Sequence, residues 1–466
     1  MQAPLRFDES TYDKATASVA GETVTYRSFT QIDYVSRPVD PIQRLNVFVP
    51  EAYFNGGQVN GYTRVSAPIF MPNTIGGYRP GPSDFPGNAA RYGHGETILA
   101  ALKQGYVVVS AGARGWTSRN DNHEFIGKAP AFIVDLKAAI RYVTYNAGWL
   151  PGNPDRIVVN GTSAGGAAAA LLGASGDADF FETPLQELGA APGTDAVFAV
   201  SAYCPVMNLE HADDAYEWQF HGISDWTERS FKLVDDQPQI TNRSSHLSGE
   251  EQRWSSERQQ AFVGYVNGLN LRDENDHELT LNPNGSGSLR ESIVNDLRRS
   301  AEAAWNAGRA MGNYAGVTEQ AGHVMAIDWY RYTAGLGRQK GLPAFDGLDL
   351  SRPENQLFGN RLTAARHFTA FGQAHTTVPA ERADPDLVAA INPMTYLETP
   401  QSQVASHWRI RHGAADVDTA FVIPKLLATR LANQKYEVDF AYQWATTHQG
   451  DYDLPGLFNW INQCCR

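Results

Sequence analysis

The sequence predicts an α/β fold in which a mostly parallel central sheet is flanked by helices. Three observations carry that prediction. Short apolar runs recur at Pro68–Met71, Tyr106–Ser110, Arg156–Asn160 and Ala196–Ala202, separated by segments of helical periodicity. The run ending at Asn160 passes through Gly161-Thr162-Ser163-Ala164-Gly165-Gly166 straight into a stretch of alanine and leucine, so a strand must turn sharply into a helix. The pattern then breaks off near Cys204 and resumes at His407, which marks a large insertion.

Each element follows in order. Residues 1–66 alternate apolar and polar side chains, as in Thr23-Val24-Thr25-Tyr26 and Leu45-Asn46-Val47-Phe48-Val49, and read as antiparallel edge strands. A strand at Pro68–Met71, a helix near Ile98–Leu102 and a strand at Tyr106–Ser110 begin the strand–helix alternation. Ile133, Leu136, Ala139, Ile140 and Val143 share one helical face before the strand that ends at Asn160. Residues 204–395 read as an inserted, mainly helical lid, with a capping box at Ser248-Gly249-Glu250-Glu251 and no buried-strand runs. The sheet resumes with a strand at His407–Arg411, a helix over Val422–Ala432, a strand at Val438–Ala441 and a closing helix near Leu457–Ile461. Residues 1–203 and 396–466 thus form the two parts of one core, in the pattern of the α/β-hydrolase fold.

Composition bounds the function. The chain has 466 residues, 42% hydrophobic and 19% charged, and no run approaches the ~20 apolar residues that a membrane span requires. A formal charge of −13 argues against nucleic acid and anionic lipid as partners, both of which call for clustered Lys and Arg. Three cysteines, Cys204, Cys464 and Cys465, are too few for a disulfide scaffold. Met1–Arg6 shows no basic segment followed by an apolar core, so the expected location is the cytoplasm, or outside the cell after removal of a signal. A monomer is favoured.

The turn at Ser163 carries the chemistry. Gly161 and Gly165 flank the serine where side chains would strike the neighbouring strand or helix, which is the physical basis of the Gly-x-Ser-x-Gly nucleophile elbow. A serine hydroxyl needs an imidazole to take its proton and a carboxylate to fix the imidazole's tautomer. On this fold the acid follows the nucleophile and the base follows the acid. Asp416, just past the strand at His407, is the first choice for the acid, ahead of Asp418. His448, in the loop after the last strand, is the base; His412 precedes the acid and reads as a strand-end histidine. For the oxyanion, the Ala164 N–H is one donor, and the loop after the third strand, Asn73–Tyr78, supplies the second, with Gly77 preferred to Gly76.

The long interval from Ser163 to Asp416 places the insertion where it covers the active site. At this point the chain resembles the bacterial tannases, α/β-hydrolases with a large lid that cleave gallate esters. The likeness runs nearly end to end and rests on Asn73–Tyr78, Gly161–Gly166, Ala202-Tyr203-Cys204-Pro205, His211-Ala212-Asp213, Glu354–Gly359, His412-Gly413 with Asp416 and Asp418, and His448–Leu454. The resemblance implies the same triad of Ser163, Asp416 and His448, small galloyl esters as substrate with gallic acid as product, and no metal or organic cofactor. It also implies that Lys340, Glu354 and Asp418 bind the three phenolic hydroxyls of the galloyl ring. Read without it, Lys340 is a solvated loop lysine and Glu354 a surface carboxylate. The alternatives are an esterase of feruloyl or other phenolic acids and, more remotely, an acyltransferase or a non-catalytic hydrolase scaffold.

Overall fold

The computed structural model describes residues 5–19, 21–88, 93–234, 237–321 and 323–466. The chain runs through β1 (Asp13–Val19), β2 (Glu22–Asp33), β3 (Arg44–Pro50), β4 (Pro68–Pro72), β5 (Val107–Ala111), β6 (Asn153–Thr162) and β7 (Ala199–Tyr203). It then forms two hairpins, β8 (Asp225–Val234) with β9 (Gln237–His246) and β10 (Val317–Gln320) with β11 (His323–Ile327), before β12 (His407–Gly413) and β13 (Glu437–Gln443). The central sheet has nine strands in the order β1-β2-β3-β5-β4-β6-β7-β12-β13. Its first three pairings are antiparallel, and β5 through β13 run parallel to one another.

Burial follows the sequence pattern. The edge strand β1 is mostly exposed, whereas β4, β5 and β7 are buried along their whole length between helices. Ile157, Val158 and Val159 of β6 are fully buried, each contributing about 1.5–3 kcal/mol of apolar burial. The covering helices include α1 (Gly95–Lys103), α2 (Ala131–Tyr145) and α3 (Ala164–Ala174). Helix α3 has no exposed face. Its small residues let it lie close to the sheet: a Cβ on Gly173 would come within 2.2 Å of a Val200 methyl and 2.9 Å of the Trp408 ring.

The insertion leaves the sheet at Tyr203 and rejoins it at His407, between two strands that pair directly with each other. Its long helices are Leu209–Gln219, Gly249–Gly268 and Ser288–Asn306, and the Ser248/Glu251 capping box opens the second as expected. The two hairpins were not expected. Gln237–His246 contains a single aliphatic residue, Ile240, so it lacks the apolar alternation by which a strand is recognised. A second correction concerns order: the Asn73–Tyr78 loop follows the fourth strand, because the antiparallel edge contributes three. No helix among the described residues is long and apolar enough to cross a membrane.

Candidate active site

Ser163 stands between β6 and α3 with φ 61° and ψ −124°, a backbone region costly for a residue with a Cβ. Its N–H donates to the Tyr203 carbonyl at 3.0 Å, and its carbonyl accepts from Ala167 and Val206. The flanking glycines are obligatory: a Cβ on Gly161 would lie 2.2 Å from the Gly165 carbonyl oxygen, and one on Gly165 would lie 2.6 Å from Asn73 Oδ1. The elbow therefore projects the hydroxyl into a cavity of about 550 Å³ at the carboxyl ends of the parallel strands.

The loops after β12 and β13 bring acid and base together. His448 Nδ1 donates to Asp416 Oδ2 at 2.8 Å, while Asp416 Oδ1 accepts the Asp418 N–H at 2.8 Å. Asp416 is fully buried. Burial would raise its pKa, but the imidazoles of His448 and His412 outweigh burial and hold it below the ordinary carboxylate value. For His448, burial opposes protonation, yet Asp416 and the other acidic neighbours lift its pKa well above the usual histidine value. His448 Nε2 has no hydrogen-bond partner among the described residues, and His448 and Ser163 both line the cavity. Catalytic hydrogen bonds are often unformed until substrate binds.

Close approach seats these loops. A Cβ on Gly413 would lie 2.2 Å from the Thr446 carbonyl oxygen, and one on Gly450 would lie 1.8 Å from Thr162 Oγ1. His412 is fully buried, packs edge-on to Phe421 and Tyr442, and has a pKa pushed down to about 4 by burial. That environment suits a neutral packing residue. Cys204 Sγ joins the pair, the potential ligand atoms of Cys204, Asp416 and His448 lying within 4.8 Å of one another. Burial pushes the Cys204 thiol up, which favours its protonated form.

Both expected oxyanion donors face the same cavity. Ala164 is the first residue of α3, where the N–H has no partner within the helix. Gly76 and Gly77 line the cavity too, and Gly77 adopts φ 55° while its carbonyl accepts from Trp116 Nε1 at 2.9 Å, so that oxygen is tied away from the serine.

Lys340, Glu354 and Asp418 also line the cavity. The solvated reading of Lys340 and Glu354 is corrected here, since they are only 9% and 7% exposed. Lys340 Nζ donates to the Asp418 carbonyl at 2.8 Å, sits 3.2 Å from Asp418 Oδ1, and lies over the Phe345 ring. Burial raises the Asp418 carboxyl, but Lys340 and His448 bring it down to about 2. Glu354 takes no hydrogen bond from a described side chain, and burial pushes its pKa up against the pull of Lys340. The lid fixes both positions. Tyr216 accepts the Gln339 and Lys340 N–H groups at 3.1 Å and donates to the Val417 carbonyl, while Arg338 is buried against Glu217. Asp346 receives Asn355 Nδ2 at 2.6 Å and His367 Nδ1 at 2.7 Å, anchoring the short helix Pro353–Leu357 that carries Glu354.

Sequence reasoning missed Gln339, Arg352, His94 and Asp451, which also line the cavity. Gln339 Nε2 reaches Asp418 Oδ1 at 3.4 Å, and Arg352 pairs with Glu228. Asp451 lay within the quoted His448–Leu454 stretch, but nothing local in the sequence pairs it with His94.

A parallel sheet of this order, with a serine at the elbow and a carboxylate and imidazole on later loops, defines the α/β-hydrolase class. Residues 87–244, which include the elbow, match the BD-FAE family model. Esterase LipQ of Mycobacterium tuberculosis is 30% identical over 155 residues, 33% of this chain and 35% of that esterase. The chain thus matches about a third of that curated relative's length. Among solved structures, tannase from Lactobacillus plantarum is 50% identical, with 99% of this chain and 100% of that chain covered and a TM-score of 0.97. A tannin acyl hydrolase in complex with ethyl gallate is 50% identical over 99% of both chains, with a TM-score of 0.94. The tannase of Fusobacterium nucleatum is 39% identical over 99% of both chains, with a TM-score of 0.93. The chain belongs to the tannase family, the tannin acyl hydrolases.

Proposed function

We infer that this protein is a serine esterase that hydrolyses galloyl ester and depside bonds of hydrolysable tannins and simple gallate esters, releasing gallic acid. Ser163 attacks the galloyl carbonyl as His448 takes its proton, with Asp416 holding the imidazole. The N–H groups of Ala164 and Gly77 receive the oxyanion. His448 then protonates the departing alcohol or phenol, and water, deprotonated by the same imidazole, releases gallate from the acyl-enzyme. No cofactor enters these steps.

One observation carries the choice of acyl group: a buried ammonium and a buried carboxylate, Lys340 and Glu354, stand with the half-buried carboxylate of Asp418 in the cavity that holds Ser163. Buried charges with spare hydrogen-bonding capacity mark a binding site. Phenolic O–H groups donate to Glu354 and Asp418, and Lys340 donates to a phenol oxygen, all charge-assisted. The ethyl gallate complex of the related hydrolase supports this reading. A feruloyl ring, with one hydroxyl and a methoxy group, leaves buried charges unpaired and is disfavoured.

Kinetics on Glu354→Gln test the clamp. The variant is expected to lose roughly 10- to 100-fold in kcat/KM on methyl gallate, the scale of one charge-assisted hydrogen bond, with little change on p-nitrophenyl acetate. Equal losses on both esters would remove Glu354 from the clamp.

Asp418 also stands 3.7 Å from His448 Nε2. Its negative charge favours the imidazolium, and catalysis needs neutral imidazole, so Asp418→Asn is expected to move the acid limb of the pH profile to lower pH. The measurement is kcat/KM against pH on p-nitrophenyl acetate, and an unmoved limb refutes the coupling.

A further inference from the structure

His94 lies directly ahead of helix α1 and forms part of the cavity wall. Its Nδ1 is 2.6 Å from Asp451 Oδ2, and its Nε2 is 2.8 Å from the Asn73 carbonyl oxygen. A carboxylate and a carbonyl both accept, so both ring nitrogens must donate and the ring is an imidazolium. Asp451 Oδ2 also receives the Thr97 hydroxyl at 2.7 Å, and Oδ1 receives Asn160 Nδ2 at 3.0 Å. Three donors on one carboxyl define an anion. Burial disfavours the charged ring, but Asp451 and Asp84 outweigh it and hold His94 above the ordinary histidine value.

These groups join the loop after β4, the end of β6 and the His448 loop. Asn73 opens the loop that carries Gly76 and Gly77, and its side-chain Nδ2 donates to the carbonyls of Asn160 and Gly165 at 3.0 Å each. Asn160 lies on β6, just before the elbow. Asp451 shares its loop with His448 and adopts φ 52°, a left-handed conformation that aspartate tolerates. The side-chain bonds from His94, Thr97 and Asn160 hold it in place, beside the contact of Gly450 on Thr162.

We propose that the His94–Asp451 ion pair is a positioning element that fixes the oxyanion loop and the His448 loop against Ser163, whatever the acyl group. It rests on the serine-esterase reading of this cavity. The pair touches no reacting atom. It acts by holding the Gly77 N–H and the imidazole at the distances the tetrahedral intermediate requires, so its loss falls on the transition state more than on bound substrate.

The test uses Asp451→Asn, His94→Gln and Thr97→Val in the full chain. The readouts are kcat and KM on methyl gallate and p-nitrophenyl acetate, the gallate inhibition constant, and histidine ¹⁵N NMR. Asp451→Asn and His94→Gln are expected to lower kcat on both esters by roughly 10- to 100-fold, with KM and gallate inhibition within about twofold of wild type. Thr97→Val, nearly isosteric, is expected to lower kcat on both by a smaller factor. The wild type is expected to show a doubly protonated ring at pH 8 that vanishes in His94→Gln. Folded variants that keep kcat on the acetate ester within twofold, or that lose activity on methyl gallate alone, overturn the proposal. If the two charge variants fail to fold, Thr97→Val decides it: unchanged kcat overturns the proposal, and reduced kcat with unchanged KM sustains it. A wild type that cleaves the acetate ester but not methyl gallate would refute the galloyl reading, leaving the pair to be judged on acetate.

Discussion

Ser163→Ala is expected to lower kcat on methyl gallate by roughly 10⁶-fold, the scale seen when the nucleophile of a serine hydrolase is removed. The remaining site should still bind product. Among the described residues no hydrogen bond joins Ser163 to Lys340, Glu354 or Asp418, and Ser163 is held by its backbone through Tyr203, Ala167 and Val206. Gallate titrated against the variant, followed by calorimetry, should therefore give a dissociation constant within a few-fold of wild type. Retention of more than about a thousandth of wild-type kcat would refute the acyl-enzyme route.

Asp416→Asn is expected to cost about 10⁴-fold in kcat while leaving the fold intact. The geometry determines which way the amide must point. Asp416 Oδ1 accepts the Asp418 N–H at 2.8 Å, so the asparagine oxygen is required there and its NH₂ group must face His448. The imidazole is then forced to accept at Nδ1 and carry its proton on Nε2, the atom that should receive the proton of Ser163. Kinetics on methyl gallate, with thermal unfolding as the control for folding, check the result. A loss below about tenfold would show that the carboxylate does not set the tautomer.

The elbow was legible because its determinants are local. A β-branched run, two glycines with no room for a Cβ and an alanine-rich helix all lie within residues 156–172, and the order of the later strands left few choices for acid and base. Lys340 and Glu354 were not legible from their surroundings. Each sits in a polar segment, and its burial depends on the lid folding back onto the sheet, where Tyr216, Arg338 and Asp346 hold the segments in place. Only the resemblance marked them. The hairpin at Asp225–His246 escaped notice because its second strand has no apolar alternation, and His94 because its partner lies 357 residues away.

The pairing of β7 with β12 has a consequence for how the chain is made. Those strands are neighbours in the sheet, yet His407 reaches its partner Ala199 only after roughly two hundred intervening residues have been synthesised. At ordinary translation rates of about 5–20 residues per second, the nucleophile half waits some ten seconds or more with β7 as an open edge. That edge, Ala199-Val200-Ser201-Ala202-Tyr203, is mostly apolar and wholly buried in the folded protein, and unpaired apolar edges recruit other chains. Asp416 and His448 arrive last, so on the proposed mechanism a nascent or prematurely terminated chain holds Ser163 without its acid and base. The hazard of this topology is therefore aggregation during synthesis, and chains cut short before β12 should be recovered as insoluble, inert protein.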